Sequence, residues 1–311
     1  MPLDEQAKFL MDLAAMSGAP PLYELSPEEA RLQSKAAFEW RSDERTPEVG
    51  TADTDFPVPG ARIPVRIYTP EGEGPFPVFV YFHGGGWVIG DIDDNDSICR
   101  FFTKLADCIV VSVGYRLAPE YKFPVPFEDA YAATEWVAEN AASFGGDPAR
   151  LAVGGDSAGG NFAAAISQRA RDEHGPAIAY QVLIYPATDH YLPGSPSYDE
   201  AEAGYGLSRT EMIYFWDHYL QEGADADNPY ISPLRAKDFS NLPAALVITA
   251  EFDPLRDEGL AYAEKLQAAG VPVEYHRYDG MMHGFLLQWE FIDKGFEALH
   301  EISDSLRAHL S

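Results

Sequence analysis

Basic residues are scarce in this chain. Its 311 residues include 22 lysines and arginines against 50 aspartates and glutamates, a formal net charge of −28 at pH 7. So acidic a surface repels phosphate backbones and anionic headgroups, which excludes nucleic acid and anionic membrane as partners. Cysteine is nearly absent, with only Cys99 and Cys108. One stands in a Phe-rich stretch and the other in a strand-like run. Both read as buried free thiols in a reducing compartment, and not as a disulfide or a metal site. No apolar run approaches the roughly 18 residues that a membrane span needs. Met1-Pro2-Leu3-Asp4-Glu5 lacks the basic and apolar regions of a secretory signal, so a cytoplasmic location is expected. Internal repeats and low-complexity tracts are also missing.

What is present is an ordinary globular composition. Hydrophobic residues make up 46% of the chain, which supports a sizeable core and either one large domain or two small ones. Residues 4–16 and 26–41 carry helical patterns, the second opening on Ser26-Pro27-Glu28-Glu29 with a capping serine, proline at the first helical position and acids in the first turn. Thr46 to Pro59 reads as turn-rich. Ile63, Val65 and Ile67 alternate as in a half-buried strand. Val78–Phe82, Cys108–Val113, Leu151–Val153, Tyr180–Tyr185, Ala245–Thr249 and Val273–Tyr278 read as further strands, the apolar runs among them as strands buried on both faces. Helical stretches fall near 96–106, 127–142, 158–172, 256–269 and 289–309. This alternation predicts an α/β fold with a mostly parallel central sheet and helices on both faces. Residues 187–241 interrupt it after a strand end, where such sheets place their ligands, and are expected to form a lid. Val273–Tyr278 is expected at a sheet edge, which leaves a monomer or a homodimer open.

Gly155-Asp156-Ser157-Ala158-Gly159 lies between a strand-like run and an Ala-rich helical run. With glycine near 7% of an average chain, G-x-S-x-G arises by chance in roughly one chain in ten of this length. Its placement on a sharp strand-to-helix turn is what makes Ser157 a candidate nucleophile. A serine hydroxyl needs a base, a group to orient that base, and donors for the oxyanion. The histidines after it are His174, His190, His218, His276, His283, His300 and His309. His283 stands out because it leaves the end of the last strand in a loop, Asp279-Gly280-Met281-Met282-His283-Gly284-Phe285; His276 is inside the strand, and His300 and His309 fall in the last helix. Asp253 follows Ala245–Ala250 and is the candidate acid, although a helix cap before Pro254 would use the same geometry. Asp257 reads as a helix-dipole acid, and Glu251 and Asp279 are weaker candidates. His83-Gly84-Gly85-Gly86-Trp87 follows the strand Val78–Phe82 and can bring bare backbone close to a substrate oxygen. His83 is expected to hold that loop, and Trp87 either to line the substrate pocket or simply to pack.

These segments, with Tyr115-Arg116-Leu117-Ala118-Pro119-Glu120, Asp253-Pro254-Leu255-Arg256-Asp257-Glu258-Gly259 and His283-Gly284-Phe285, stand in one order from about residue 60 onward. In them the chain resembles the hormone-sensitive-lipase-like family of microbial carboxylesterases. The resemblance implies an α/β-hydrolase fold with Ser157 as nucleophile, His283 as base and Asp253 as orienting acid. It also implies the backbone N–H groups of Gly85, Gly86 and Ala158 as oxyanion donors. Residues 1–45 would form N-terminal cap helices, 46–311 the catalytic domain, and 187–235 the rest of a mainly helical cap. The implied activity is hydrolysis of small-molecule esters with short to medium acyl chains through an acyl-enzyme, with no cofactor. An amidase, peptidase or lactonase would share that chemistry, and a small-molecule receptor on the same fold is the rival of another class. No metal is expected. Asp91-Ile92-Asp93-Asp94-Asn95-Asp96 begins like a calcium loop but lacks glycine at its sixth position and glutamate at its twelfth, so it reads as an acidic turn capping the next helix. Arg116 reads as a structural anchor.

Overall fold

The computed structural model describes residues 2–39, 44–201 and 205–311. Eight strands form one sheet among these residues: β1 (Gly50–Val58), β2 (Ala61–Thr69), β3 (Phe76–Phe82), β4 (Ile109–Val113), β5 (Gly146–Asp156), β6 (Ile178–Ile184), β7 (Ala244–Phe252) and β8 (Val273–Met282). Their spatial order is β1-β2-β4-β3-β5-β6-β7-β8, with β8 at one edge as expected. The pairs β1–β2 and β2–β4 are antiparallel; β4–β3 and every pair from there to β8 are parallel.

Strand β3 shows why the sheet is covered on both faces. Val78, Val80 and Phe82 join one apolar cluster with Phe127 and Phe162, while Phe79 and Tyr81 join the other with Phe102 and Leu299. Alternate side chains of a strand point to opposite faces, so an unbroken apolar run needs helices on each side. These are α4 (Val125–Asn140) and α5 (Ala158–Glu173) on the first face, and α3 (Asp96–Ala106) and α9 (Asp293–Leu310) on the second. α8 (Arg256–Ala268) follows β7.

The stretch from Thr46 to Pro59 is not merely turn-rich. Most of it is β1, which pairs with β2 through a hairpin at Pro59-Gly60. Only Phe56 is buried along it, so the strand carries almost no hydrophobic periodicity and owes its form to its neighbour's backbone. α1 (Glu5–Met16) and α2 (Pro27–Glu39) match the two N-terminal helical patterns. Residues 40–41 of the second pattern lie outside the described residues, as do residues 1 and 42–43 of the expected N-terminal cap and 202–204 of the expected insertion. Ser26 Oγ accepts the Glu29 N–H, and the Glu29 carboxylate accepts the Ser26 N–H at 3.0 Å, a reciprocal cap for α2.

Between β6 and β7 lie α6 (Pro196–Glu200) and α7 (Arg209–Tyr219). The segment that holds them leaves the sheet and comes back at one place. Asn161 Nδ2, on α5, donates to Ala187 O at 2.8 Å and to Ile231 O at 2.9 Å. The first turn of α8 holds the departing chain: Glu258 Oε1 accepts the N–H groups of Thr188 and Asp189. Glu258 is buried, and burial pushes this carboxyl well above its ordinary range. Arg116, just past β4, forks onto Asp129 at 2.7 and 2.6 Å, the anchoring role expected of it.

Candidate active site

Three groups converge from the carboxyl ends of three strands: Ser157 after β5, Asp253 after β7 and His283 after β8. The turn at Ser157 is tight. The serine has φ 56° and ψ −115°, in the left-handed region a side chain disfavours. A Cβ on Gly159 would stand 1.8 Å from Phe82 O, so only glycine lets α5 begin this close to β3. The Ser157 carbonyl is held from both sides by the N–H groups of Asn161 and Ala187, and the Ser157 N–H donates to Ile184 O.

Ser157 Oγ and His283 Nε2 are 2.9 Å apart, and His283 Nδ1 and Asp253 Oδ2 are 2.7 Å apart. A carboxylate oxygen accepts, so Nδ1 carries the proton and Nε2 is left to accept from the serine hydroxyl. Asp253 is buried, and its Oδ1 accepts the Leu255 N–H at 2.8 Å. The N-cap of α8 is Leu255, so Asp253 does not cap that helix: one of its oxygens holds the turn before the helix and the other faces the imidazole. The Tyr185 ring supports the imidazole from 4.7 Å. The other acids lie elsewhere. Asp257 accepts the Ser197 N–H, the Gly280 N–H donates to Glu251, and Asp279 pairs with Arg277.

The loop after β3 turns through three successive positive φ angles, at Gly85 (107°), Gly86 (57°) and Trp87 (62°). Its first glycine is occupied, since Gly84 N–H donates to Asp156 Oδ1 at 2.8 Å. Among the described residues, the N–H groups of Gly85, Gly86 and Ala158 donate to no protein acceptor. His83 is buried and its Nδ1–H donates to Gly84 O at 2.7 Å. Burial pushes its imidazole down to about 4, so it stays neutral and holds the loop. Trp87 borders the cavity, but its ring is fully buried, stacked on Tyr219 at 4.4 Å and against Trp216 at 4.3 Å.

A cavity of about 180 Å³ opens over Ser157 and His283. Leu22 enters it from the N-terminal segment, and Leu207, Met212 and Phe215 from the segment between β6 and β7. Sequence reasoning did not single out these residues, nor Asp156. Apolar residues of a short helix carry no mark that separates pocket lining from core, and Asp156 is a free position of the serine motif. Among the described residues no cluster of three or more His, Cys, Asp or Glu side chains could hold a metal ion. In the acidic run, Asp91 Oδ1 accepts the N–H groups of Asp93 and Asp94, as a turn before α3 would.

Comparison with known proteins gives the family. Residues 79–287 match the α/β-hydrolase fold family. The carboxylic ester hydrolase LipN of Mycobacterium tuberculosis is 43% identical over 269 residues, 85% of this chain and 71% of LipN. The ester hydrolase EH1AB1 from the Lake Arreo metagenome, solved with a bipyridine phosphonate derivative, superposes with a TM-score of 0.94. It is 43% identical, and the match covers 99% of each chain. The thermostable carboxylesterase EstE1, cloned from a metagenomic library, superposes at 0.87 with 43% identity over 93% of this chain and 99% of its own. The chain belongs to the α/β-hydrolase fold family. Within that family its kinship is with the hormone-sensitive-lipase-like esterases, as its motifs imply.

Proposed function

We propose that this protein is a serine carboxylesterase acting on esters of short to medium acyl chain, with Ser157, His283 and Asp253 as its catalytic triad. The observation that carries the reading is the unbroken chain from Ser157 Oγ to His283 Nε2 at 2.9 Å and from Nδ1 to Asp253 at 2.7 Å. His283 takes the hydroxyl proton as Ser157 attacks the ester carbonyl. The carbonyl oxygen gains charge and is met by the free N–H groups of Gly85, Gly86 and Ala158. His283 returns the proton to the departing alcohol. It then activates water against the acyl-enzyme, which releases the acid and restores the serine. Asp253 keeps the proton on Nδ1 throughout.

The size and apolar walls of the cavity support a short to medium acyl group. The helices of residues 1–45 and of 187–235 act as its cap. The buried thiols of Cys99 and Cys108 support a reducing, cytoplasmic setting, and the edge strand β8 leaves a monomer or a homodimer. The test is a series of p-nitrophenyl esters of graded length, assayed on the wild type and on Ser157→Ala. Short and medium esters should turn over and the variant should be inactive. Substantial hydrolysis by Ser157→Ala would sink the nucleophile, and preference for long acyl chains would sink the substrate class.

A further inference from the structure

We propose that Arg31, on α2 and outside the reacting groups, is a positioning residue that holds the oxyanion loop in its working shape. This rests on the esterase reading above. Arg31 Nε donates to Val88 O at 2.8 Å and Nη2 to Ala118 O at 2.8 Å, while Glu120 takes Nη1 at 2.8 Å and Nη2 at 2.6 Å. Ala118 N–H in turn donates to Trp87 O at 2.9 Å. The guanidinium thus closes a ring through two backbone segments, one of which is the oxyanion loop itself. Val88 and Ile89 both donate their N–H groups to Gly85 O, so a displacement of Val88 is passed to the peptide units whose N–H groups meet the oxyanion.

That loop does not hold its shape unaided. Three consecutive positive φ angles, the last on a tryptophan, persist only where surroundings over-determine them. Two supports come from α7: the Phe215 ring against Gly86, and Trp216 with Tyr219 against Trp87. Arg31 is the support from the N-terminal side. Ala30 is the one fully buried α2 side chain among those described, and Arg31 beside it carries the hydrogen bonds that join the helix to Val88, Ala118 and Glu120. Lysine cannot replace it, because one ammonium has neither the reach nor the planar spread to bridge two carbonyls and a carboxylate. The cap helices therefore do more than enclose substrate; they set where the oxyanion donors stand.

The experiment compares wild type, Arg31→Met, Arg31→Lys and Glu120→Gln below their unfolding temperatures. It measures kcat and KM on p-nitrophenyl butyrate, and inhibition by a trifluoromethyl ketone, whose adduct with serine places an oxyanion in the same site. Arg31→Met should lower kcat about tenfold, part of the 10²–10³ lost when a donor is removed outright. KM should change little, and ketone affinity should fall in parallel with kcat. Arg31→Lys should recover only part of the loss. Glu120→Gln, which leaves both carbonyl contacts, should stay near wild type; if Arg31→Met unfolds, Arg31→Lys decides, and wild-type kcat and ketone affinity in it overturn the proposal. A normal kcat in Arg31→Met, with only a lower Tm or a raised KM, overturns the proposal. If the wild type itself shows no Ser157-dependent hydrolysis and binds no ketone, the parent reading fails; Ser157-dependent hydrolysis with unchanged kcat and ketone affinity in Arg31→Met defeats the Arg31 proposal alone.

Discussion

Asp156 accepts the Gly84 N–H and the Tyr81 hydroxyl on one carboxylate oxygen, at 2.8 and 2.7 Å. The bond ties the turn that bears Ser157 to the loop that bears Gly85 and Gly86. It also withdraws Gly84 from the donors open to substrate, so two of the three glycines remain. Asp156 is buried, which pushes its carboxyl above the ordinary range. Asp156→Ala should lower kcat by about tenfold or more, since the loop loses its tether to the nucleophile turn. Asp156→Asn keeps an acceptor oxygen and should retain more activity than the alanine variant. Steady-state kinetics at a fixed temperature decide this, and equal kcat in both variants and the wild type would contradict it.

Phe215 lines the cavity over Ser157 and His283. Its ring lies 2.3 Å from where a Cβ on Gly86 would stand, so it closes over the oxyanion loop. Phe215→Ala should open the cavity toward α7 and favour longer acyl chains. The ratio of kcat/KM for the octanoate over the butyrate ester should rise about tenfold, the lower range for a change in apolar fit. An unchanged ratio would mean that the acyl chain runs elsewhere.

Glu258 makes stability depend on pH in a direction opposite to that of a salt-bridged acid. Burial raises its folded-state carboxyl well above the ordinary 4.5, even though Oε1 accepts two backbone N–H groups. The folded protein therefore keeps this proton over a range where the unfolded chain has released it. Stability from this group falls as pH rises above 4.5 and does not recover. Glu258→Gln keeps the acceptor and removes the ionisation. It should be more stable than wild type at neutral pH and lose that advantage in acid. Urea unfolding at several pH values measures it, and a pH-independent difference would rule the mechanism out.

Cys99 and Cys108 are buried and free. Burial raises both thiols, Cys108 to about 12. Since thiolate is the reactive form, native protein should be nearly inert to a thiol reagent such as Ellman's, and two thiols should titrate on denaturation. Fast labelling of the native fold would show that one of them is open to solvent.

The sequence was most legible where one physical requirement dominates. Buried strands such as β3 and β4 show as unbroken apolar runs, and the serine turn shows as glycines where backbone must meet backbone. Strand β1 was not legible, because an exposed edge strand with one buried side chain has no pattern to read. The choice among Gly84, Gly85 and Gly86 rested on family resemblance. What sets Gly84 apart is a bond to a residue 72 positions away, a relationship spacing does not encode. Asp253 before Pro254 suits a helix cap as well as an orienting acid, but α8 is capped at Leu255, and Asp253 instead holds the preceding turn with one oxygen and faces His283 with the other. The lining of the cavity stayed hidden because Leu207, Met212 and Phe215 differ from core residues only in what they face.

Asn161 grips the departing and returning ends of the segment between β6 and β7 with a single amide. The two ends stand side by side, so chain can be added or removed between them without shifting either flanking strand. Ser157, Asp253 and His283 are anchored on β5, β7 and β8 and not on the segment. Selection can therefore rewrite what the enzyme accepts while leaving untouched how it reacts, and in the laboratory the same junction is the place to exchange one substrate chamber for another.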